Sequence, residues 1–175
     1  LIPHNIIGFE TATMQELVHK ILTERGLTLA TAESCTGGTI ASRFTAMPGA
    51  SAYFKGGVVA YWNQTKELLL GISRDTIARY GVVSEQIVRK MAEGVRHAAD
   101  AHYGIATTGI AGPSGGTPEL PVGSVWIAVS SPERTVSRLI HVNGSRNKVI
   151  RKAGTAAVAL LEEELLTEKT ARYNP

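Results

Sequence analysis

At 175 residues the chain is long enough for one domain that buries roughly 70% of its unfolded surface. Its composition, 43% hydrophobic and 19% charged, is that of a globular domain, and no apolar run approaches the ~20 residues of a membrane span. A net charge of +3, scattered along a chain with only 6% aromatic residues, argues for a small anionic ligand and against a nucleic-acid surface, and one cysteine excludes an internal disulfide and fits a reducing cytoplasm.

Residues 1–10 show no clear period. Over residues 11–25, Met14, Leu17, Val18, Ile21 and Leu22 recur at helical spacing, and Gly26 stands where a helix stops. Residues 28–32 are short and apolar, the pattern of a buried strand, and Ile40, Ala41 and Phe44 then share one face of a short helix. Met47, Pro48 and Gly49 break it. Residues 57–61 read as a second buried strand, followed by a helix that Asn63 can cap and Gly71 can end. Residues 73–80 predict another short helix, and Ser84 starts a longer one that runs to about Ala101 with Ile87, Val88, Met91, Val95 and Ala98 inward. Residues 103–108, 124–129 and 135–141 are three more strands, the last two joined by a hairpin. Ser145 and Arg146 open a final helix whose inward face is Val149, Ile150, Ala153, Ala157, Leu160, Leu161 and Leu165, and residues 167–175 read as a polar tail.

Five strands interleaved with helices predict a single α/β domain over residues 1–175, with 1–10 and 167–175 peripheral; the hairpin makes the sheet mixed. In such sheets catalytic turns gather at the carboxyl ends of the parallel strands. Three segments converge there: the turn around Ser34, the stretch from Tyr61 to Lys66, and the glycine-rich loop 109–118.

The first of these, Glu33-Ser34-Cys35-Thr36-Gly37-Gly38, is a sharp strand-to-helix turn of small hydroxyl residues and glycines. Such a turn leaves N–H groups at the helix start for an anion or a developing oxyanion, with Ser34 or Cys35 at its apex as nucleophile. It also fits a plain helix entry capped by Ser34 or Thr36, and the turn lacks the G-x-S-x-G pattern of the hydrolase elbow. The five histidines are dispersed and no motif pairs them, so neither a metal site nor a cofactor is expected. Tyr61 and Lys66 are then the candidate base: a nearby ammonium lowers a phenol's pKa, so Tyr61 could take the Ser34 proton. Their spacing is one residue longer than the Tyr-x3-Lys of short-chain dehydrogenases, and no dinucleotide fingerprint accompanies it, which excludes that reading.

Five stretches carry a resemblance: AESCTGG from Ala32, GGVVAYWNQTKELLLG from Gly56, GVVSEQIV from Gly81, TGIAGPSGG from Thr108 and PVGSVWIA from Pro121. In this order they resemble the CinA carboxy-terminal domain family over roughly residues 14–165. The resemblance implies a three-layer α/β/α sandwich with a mixed, mostly parallel five-strand sheet. It further implies a stand-alone nicotinamide-nucleotide amidohydrolase, converting nicotinamide mononucleotide to nicotinate mononucleotide and ammonia in pyridine nucleotide salvage. The family's serine, tyrosine and lysine fall on Ser34, Tyr61 and Lys66, the expected catalytic residues. Substrate contacts are expected from Cys35, Thr36, Gly37 and Gly38, from Thr108, Gly109 and Gly112, and from Arg146 as the phosphate partner. Where the family often has Gly-Asp-Arg before the last helix, this chain has Gly144-Ser145-Arg146. The expected partner is a small-molecule nucleotide, not nucleic acid or a membrane, with homo-oligomerisation left open. Two rivals stand beside this reading: a non-catalytic nucleotide-binding module and a Cys35 thiol amidase.

Overall fold

The computed structural model describes the backbone of residues 6–172 and the side chains of residues 14–168. Six α-helices flank one five-stranded sheet: α1 (Ile6–Arg25), α2 (Thr39–Thr45), α3 (Asn63–Leu70), α4 (Arg74–Tyr80), α5 (Glu85–Ala98) and α6 (Arg146–Arg172). The strands are β1 (Leu29–Glu33), β2 (Phe54–Val59), β3 (Tyr103–Gly109), β4 (Ser124–Ser130) and β5 (Thr135–His141), in spatial order β2-β1-β3-β4-β5. β1 pairs in parallel with β2 and with β3, whereas β4 is antiparallel to both its neighbours. Four strands therefore run one way and only β4 is reversed. This is the mixed sheet and three-layer sandwich that the sequence predicts.

The alternation of side chains along each strand divides the core in two. Leu29, Tyr103, Ile105, Val125, Ile127 and Val129 face α1, α2 and α6, where Val18, Leu22, Ile40, Phe44, Val149 and Leu161 are buried. The opposite face of the sheet carries Ala30, Ala32, Ala106 and Ala128 and packs on α3, α4 and α5. Small residues there let α5 approach closely: a Cβ on Gly104 would sit 2.2 Å from the Ala92 carbonyl oxygen.

Four local expectations need correction. Residues 6–10, without a clear sequence period, belong to α1, which begins at Ile6. α6 runs on through residue 172 where a polar tail is expected, while residues 1–5 and 173–175 lie outside the described residues. The second strand spans Phe54–Val59 rather than 57–61, and it is not buried: as an edge strand paired only with β1 it alternates between half-buried and exposed positions. Finally, Asn63 does not cap α3. Trp62 holds that place, its carbonyl accepting the Lys66 N–H at 3.2 Å, and no side-chain bond forms because an indole can only donate. Ser73 and Ser84 do cap α4 and α5, accepting from the Thr76 and Ile87 N–H groups. Among the described residues, no helix is long and apolar enough to cross a membrane.

Candidate active site

Parallel pairing brings the carboxyl ends of β1, β2 and β3 to one edge of the sheet, and the chain turns sharply where β1 ends. The Ser34 N–H donates to the Thr107 carbonyl of β3 at 3.1 Å, and the Gly37 N–H closes back on the Ser34 carbonyl at 3.1 Å. Gly37 and Gly38 take φ values of 61° and 100°, in the left-handed region that glycine enters without strain. The glycines are thus what allows strand to become helix within so few residues.

Neither Ser34 nor Thr36 caps the helix that follows. Glu33, buried to 1% exposure, reaches forward instead: Oε1 accepts the Ile40 N–H at 2.9 Å and Oε2 the Ala41 N–H at 3.1 Å. The Thr36 hydroxyl donates to the same Oε1 at 2.6 Å and lies 2.8 Å from the Thr107 hydroxyl. An ionised carboxylate only accepts, so Thr36 spends its one proton on Glu33 and Thr107 donates to Thr36. This arrangement corrects the expectation that α2 offers its start to an anion. The charge that complements those N–H groups is built into the chain.

Ser34 faces the other way. Lys66, on α3, is fully buried, and its Nζ lies 3.4 Å from Ser34 Oγ while donating to the Ala60 carbonyl at 2.7 Å. Burial pushes the Lys66 amine below its ordinary pKa, because the charged form loses its water. Tyr61, by contrast, is 56% exposed and its hydroxyl accepts from Arg146 Nη2 at 3.0 Å. The expected relay, in which Tyr61 takes the Ser34 proton and Lys66 holds the phenolate, is therefore rearranged. The lysine stands beside the serine, and the tyrosine stands beside the arginine.

Arg146 also donates through Nη1 to the Gly112 carbonyl at 2.7 Å, tying the start of α6 to the glycine loop. Ser145 caps that start by accepting the Lys148 N–H at 3.2 Å. In the loop, a Cβ on Gly109 would fall 2.7 Å from the Ser124 carbonyl oxygen, so β3 and β4 can close only around a glycine.

Ser34, Cys35, Tyr61, Lys66, Thr108, Gly109, Gly112 and Arg146 line one pocket of about 300 Å³, completed by Asn63, Val82, Val83, Ser114 and others. Of the residues expected to bind substrate, Thr36, Gly37 and Gly38 do not line it; they build the turn. Cys35 does line it, but burial pushes its thiol up to about 12, with the Glu33 charge adding to the effect. Sequence reasoning missed Glu33 as the anchor of the turn and Thr107 as its partner. A signal existed: a glutamate ending an apolar strand is a buried charge that must find donors.

The CinA C-terminal domain family matches residues 11–165 of the chain. A CinA-like protein from Anaeromyxobacter dehalogenans is 48% identical over 89% of the chain, and one from Acidobacterium capsulatum 43% identical over 88%. The chain spans only 38% and 37% of the length of these two relatives. Among solved structures, the competence damage-inducible protein A of Klebsiella pneumoniae superposes with a TM-score of 0.85 at 35% identity, covering 89% of this chain and 97% of that one. The competence/damage inducible protein CihA of Agrobacterium tumefaciens gives 0.80 at 35% identity, covering 85% and 93%. With the family matched across nearly the whole chain and the fold shared at this level of identity, the chain belongs to the CinA C-terminal domain family.

Proposed function

We propose that this domain is a serine amidohydrolase acting on the carboxamide of a pyridine nucleotide, nicotinamide mononucleotide, with Ser34 as nucleophile and Lys66 as general base. The observation that carries the reading is a desolvated lysine set against a serine hydroxyl on the wall of a pocket. Burying an amine with one carbonyl partner costs stability, and a module that merely binds a nucleotide has no use for that cost. The thiol rival is weaker still, since a Cys35 thiol raised to about 12 stays protonated near neutrality.

In the first half-reaction neutral Lys66 takes the Ser34 Oγ proton as Oγ attacks the carboxamide carbon. The C–N bond then breaks, and the nitrogen leaves as ammonia carrying the proton that Lys66 returns. In the second half-reaction water attacks the acyl ester, passes its proton to Lys66, and Ser34 Oγ leaves and is reprotonated. The lysine's depressed pKa serves both halves, because only the neutral amine can accept. With the α2 N–H groups taken by Glu33, the oxyanion must be met by the turn ahead of the helix or by the glycine loop. Arg146, at the pocket rim, supplies the cation for the substrate phosphate. The pyridine nucleotide itself follows from the family resemblance, and the pocket's polar, cationic rim is consistent with it.

Ammonia release from a panel of nucleotide amides tests the reading. Nicotinamide mononucleotide should be turned over, the riboside poorly, and Ser34→Ala should abolish release while circular dichroism stays unchanged. Full turnover by Ser34→Ala would remove the serine mechanism.

A further inference from the structure

We propose that Thr108 is the residue that reads the amide: its hydroxyl oxygen accepts an N–H of the carboxamide held at Ser34, and so selects a carboxamide over a carboxylate. The inference rests on the amidohydrolase reading of the pocket, and it follows from register and from counting protons.

β1 and β3 are paired in parallel as far as Glu33 opposite Thr107. Carried one step further, that register sets Ser34 beside Thr108, with neighbouring strands about 4.8 Å apart. Successive side chains point to opposite faces. Glu33 and Thr107 meet at Thr36 on the α2 side, so Ser34 and Thr108 share the side of α3 and α5. Their contacts agree: Ser34 meets Lys66 of α3, and Thr108 meets Val82 in the link before α5. Both line the same pocket.

The Thr108 hydroxyl lies 2.8 Å from the Val82 carbonyl oxygen. A carbonyl can only accept, so the hydroxyl's single proton is committed to it. The GVVSEQIV segment that carries this carbonyl is itself braced: the Ser84 hydroxyl donates to the neighbouring Gly81 carbonyl at 2.7 Å and accepts the Ile87 N–H at 3.3 Å. What Thr108, 1% exposed, has left to offer is a lone pair. A carboxamide bonded to Ser34 brings an N–H donor to that lone pair, whereas the carboxylate product brings only acceptors and is repelled. A site built to accept an N–H therefore binds substrate and rejects product with one atom.

The test is calorimetric titration of Ser34→Ala, which cannot turn over, with nicotinamide mononucleotide and nicotinate mononucleotide. Thr108 and Thr108→Ser backgrounds should both favour the amide by about tenfold or more, the worth of one buried hydrogen bond gained against an acceptor pair. Thr108→Val keeps the shape, removes the hydroxyl and should erase the preference, chiefly by weakening the amide. A preference retained in Thr108→Val, or a Ser34→Ala protein that binds both nucleotides alike, would overturn the role given to Thr108 and leave the amidohydrolase reading intact. The second of those outcomes decides the matter even where Thr108→Val does not fold. Binding of neither nucleotide would overturn the reading of the pocket itself, and this inference with it.

Discussion

Two faces of one strand end do opposite work in this molecule. On the α2 side, Glu33, Thr36 and Thr107 form a closed network in which every proton has an assigned acceptor. One residue along, on the α3 side, Ser34, Lys66 and Thr108 form an open one that faces a pocket. The residue types are nearly the same: hydroxyls and one ionisable group, gathered where a parallel strand ends. The difference is satisfaction. Fully paired, such groups hold a turn rigid; left with a long contact and a spare lone pair, they are available for chemistry. Ser34, the proposed nucleophile, is thereby held by the paired side of the strand end.

The largest effect should come from disabling the open side. Lys66→Met keeps most of the side-chain length and should lower kcat/KM by ~10²–10⁴-fold, the usual cost of a lost general base. In the wild type the rate should rise with pH as Lys66 loses its proton and level off below its ordinary 10.5; in Lys66→Met that limb should vanish. Stability should follow the same group. Between the depressed folded pKa and the unfolded one, the unfolded chain binds a proton that the folded one refuses, so stability rises with pH across that window. Urea midpoints from pH 7 to 10 should climb for the wild type relative to Lys66→Met, and parallel curves would mean that the amine is not desolvated.

Loosening the closed side should cost stability before chemistry. Glu33→Gln sets an amide N–H₂ against one of two backbone donors, Ile40 or Ala41 N–H, and should destabilise by about 1–3 kcal/mol in urea unfolding. Its kcat should fall more than its KM changes, since a looser turn misplaces Ser34 while the Arg146 rim, tied to Gly112 and Tyr61, stays in place. An unchanged midpoint would show that Glu33 is not the anchor described.

Tyr61→Phe sharpens the comparison from the rim. Its phenol touches Arg146 and not Ser34, so the change should appear mainly in KM and stay within about tenfold. A loss of kcat on the scale of Lys66→Met would restore Tyr61 as the base. Smallest of all is Cys35→Ser, which should leave kcat/KM near the wild-type value. With its thiol at about 12, the native cysteine should also resist iodoacetamide at neutral pH.

Much of this was legible in the sequence. Apolar periodicity located the elements, and the Ser34, Tyr61–Lys66 and Gly109 segments do meet in one pocket. What could not be read was the partnering within the set. Tyr61 and Lys66 lie close in sequence, yet one sits past the end of an edge strand and the other is inside the first turns of α3, so they point into different surroundings. Which of two neighbours is desolvated depends on α5, packed on α3, and on the Ser34 turn, both supplied by other parts of the chain. The edge character of β2 escaped for the same reason: strand order is a tertiary fact, and GGVVAY reads alike at a sheet's centre and at its rim. Glu33 was missed because its donors, seven and eight residues ahead, become a cap only once the turn has folded back.

The reversal of β4 has a consequence for how such a domain can diversify. The connection from β3 to β4 is pinched at its neck by two bonds, Ile110 N–H to the Ser124 carbonyl at 2.9 Å and Gly123 N–H to the Ile110 carbonyl at 2.8 Å. Everything between hangs from that neck as a cassette over the pocket mouth, bearing Gly112, Ser114 and Gly115. Once a neck is closed, lengthening a loop costs only logarithmically in entropy, about 0.6 kcal/mol per doubling. Segments of other lengths and compositions can therefore be grafted between Ile110 and Gly123 with the register of β3 and β4 preserved, and with it the placement of Ser34 and Lys66. On the proposed reading, a library confined to this cassette varies the pocket wall with Ser34 and Lys66 held in place, and any loss of turnover in it would reveal oxyanion donors in the loop.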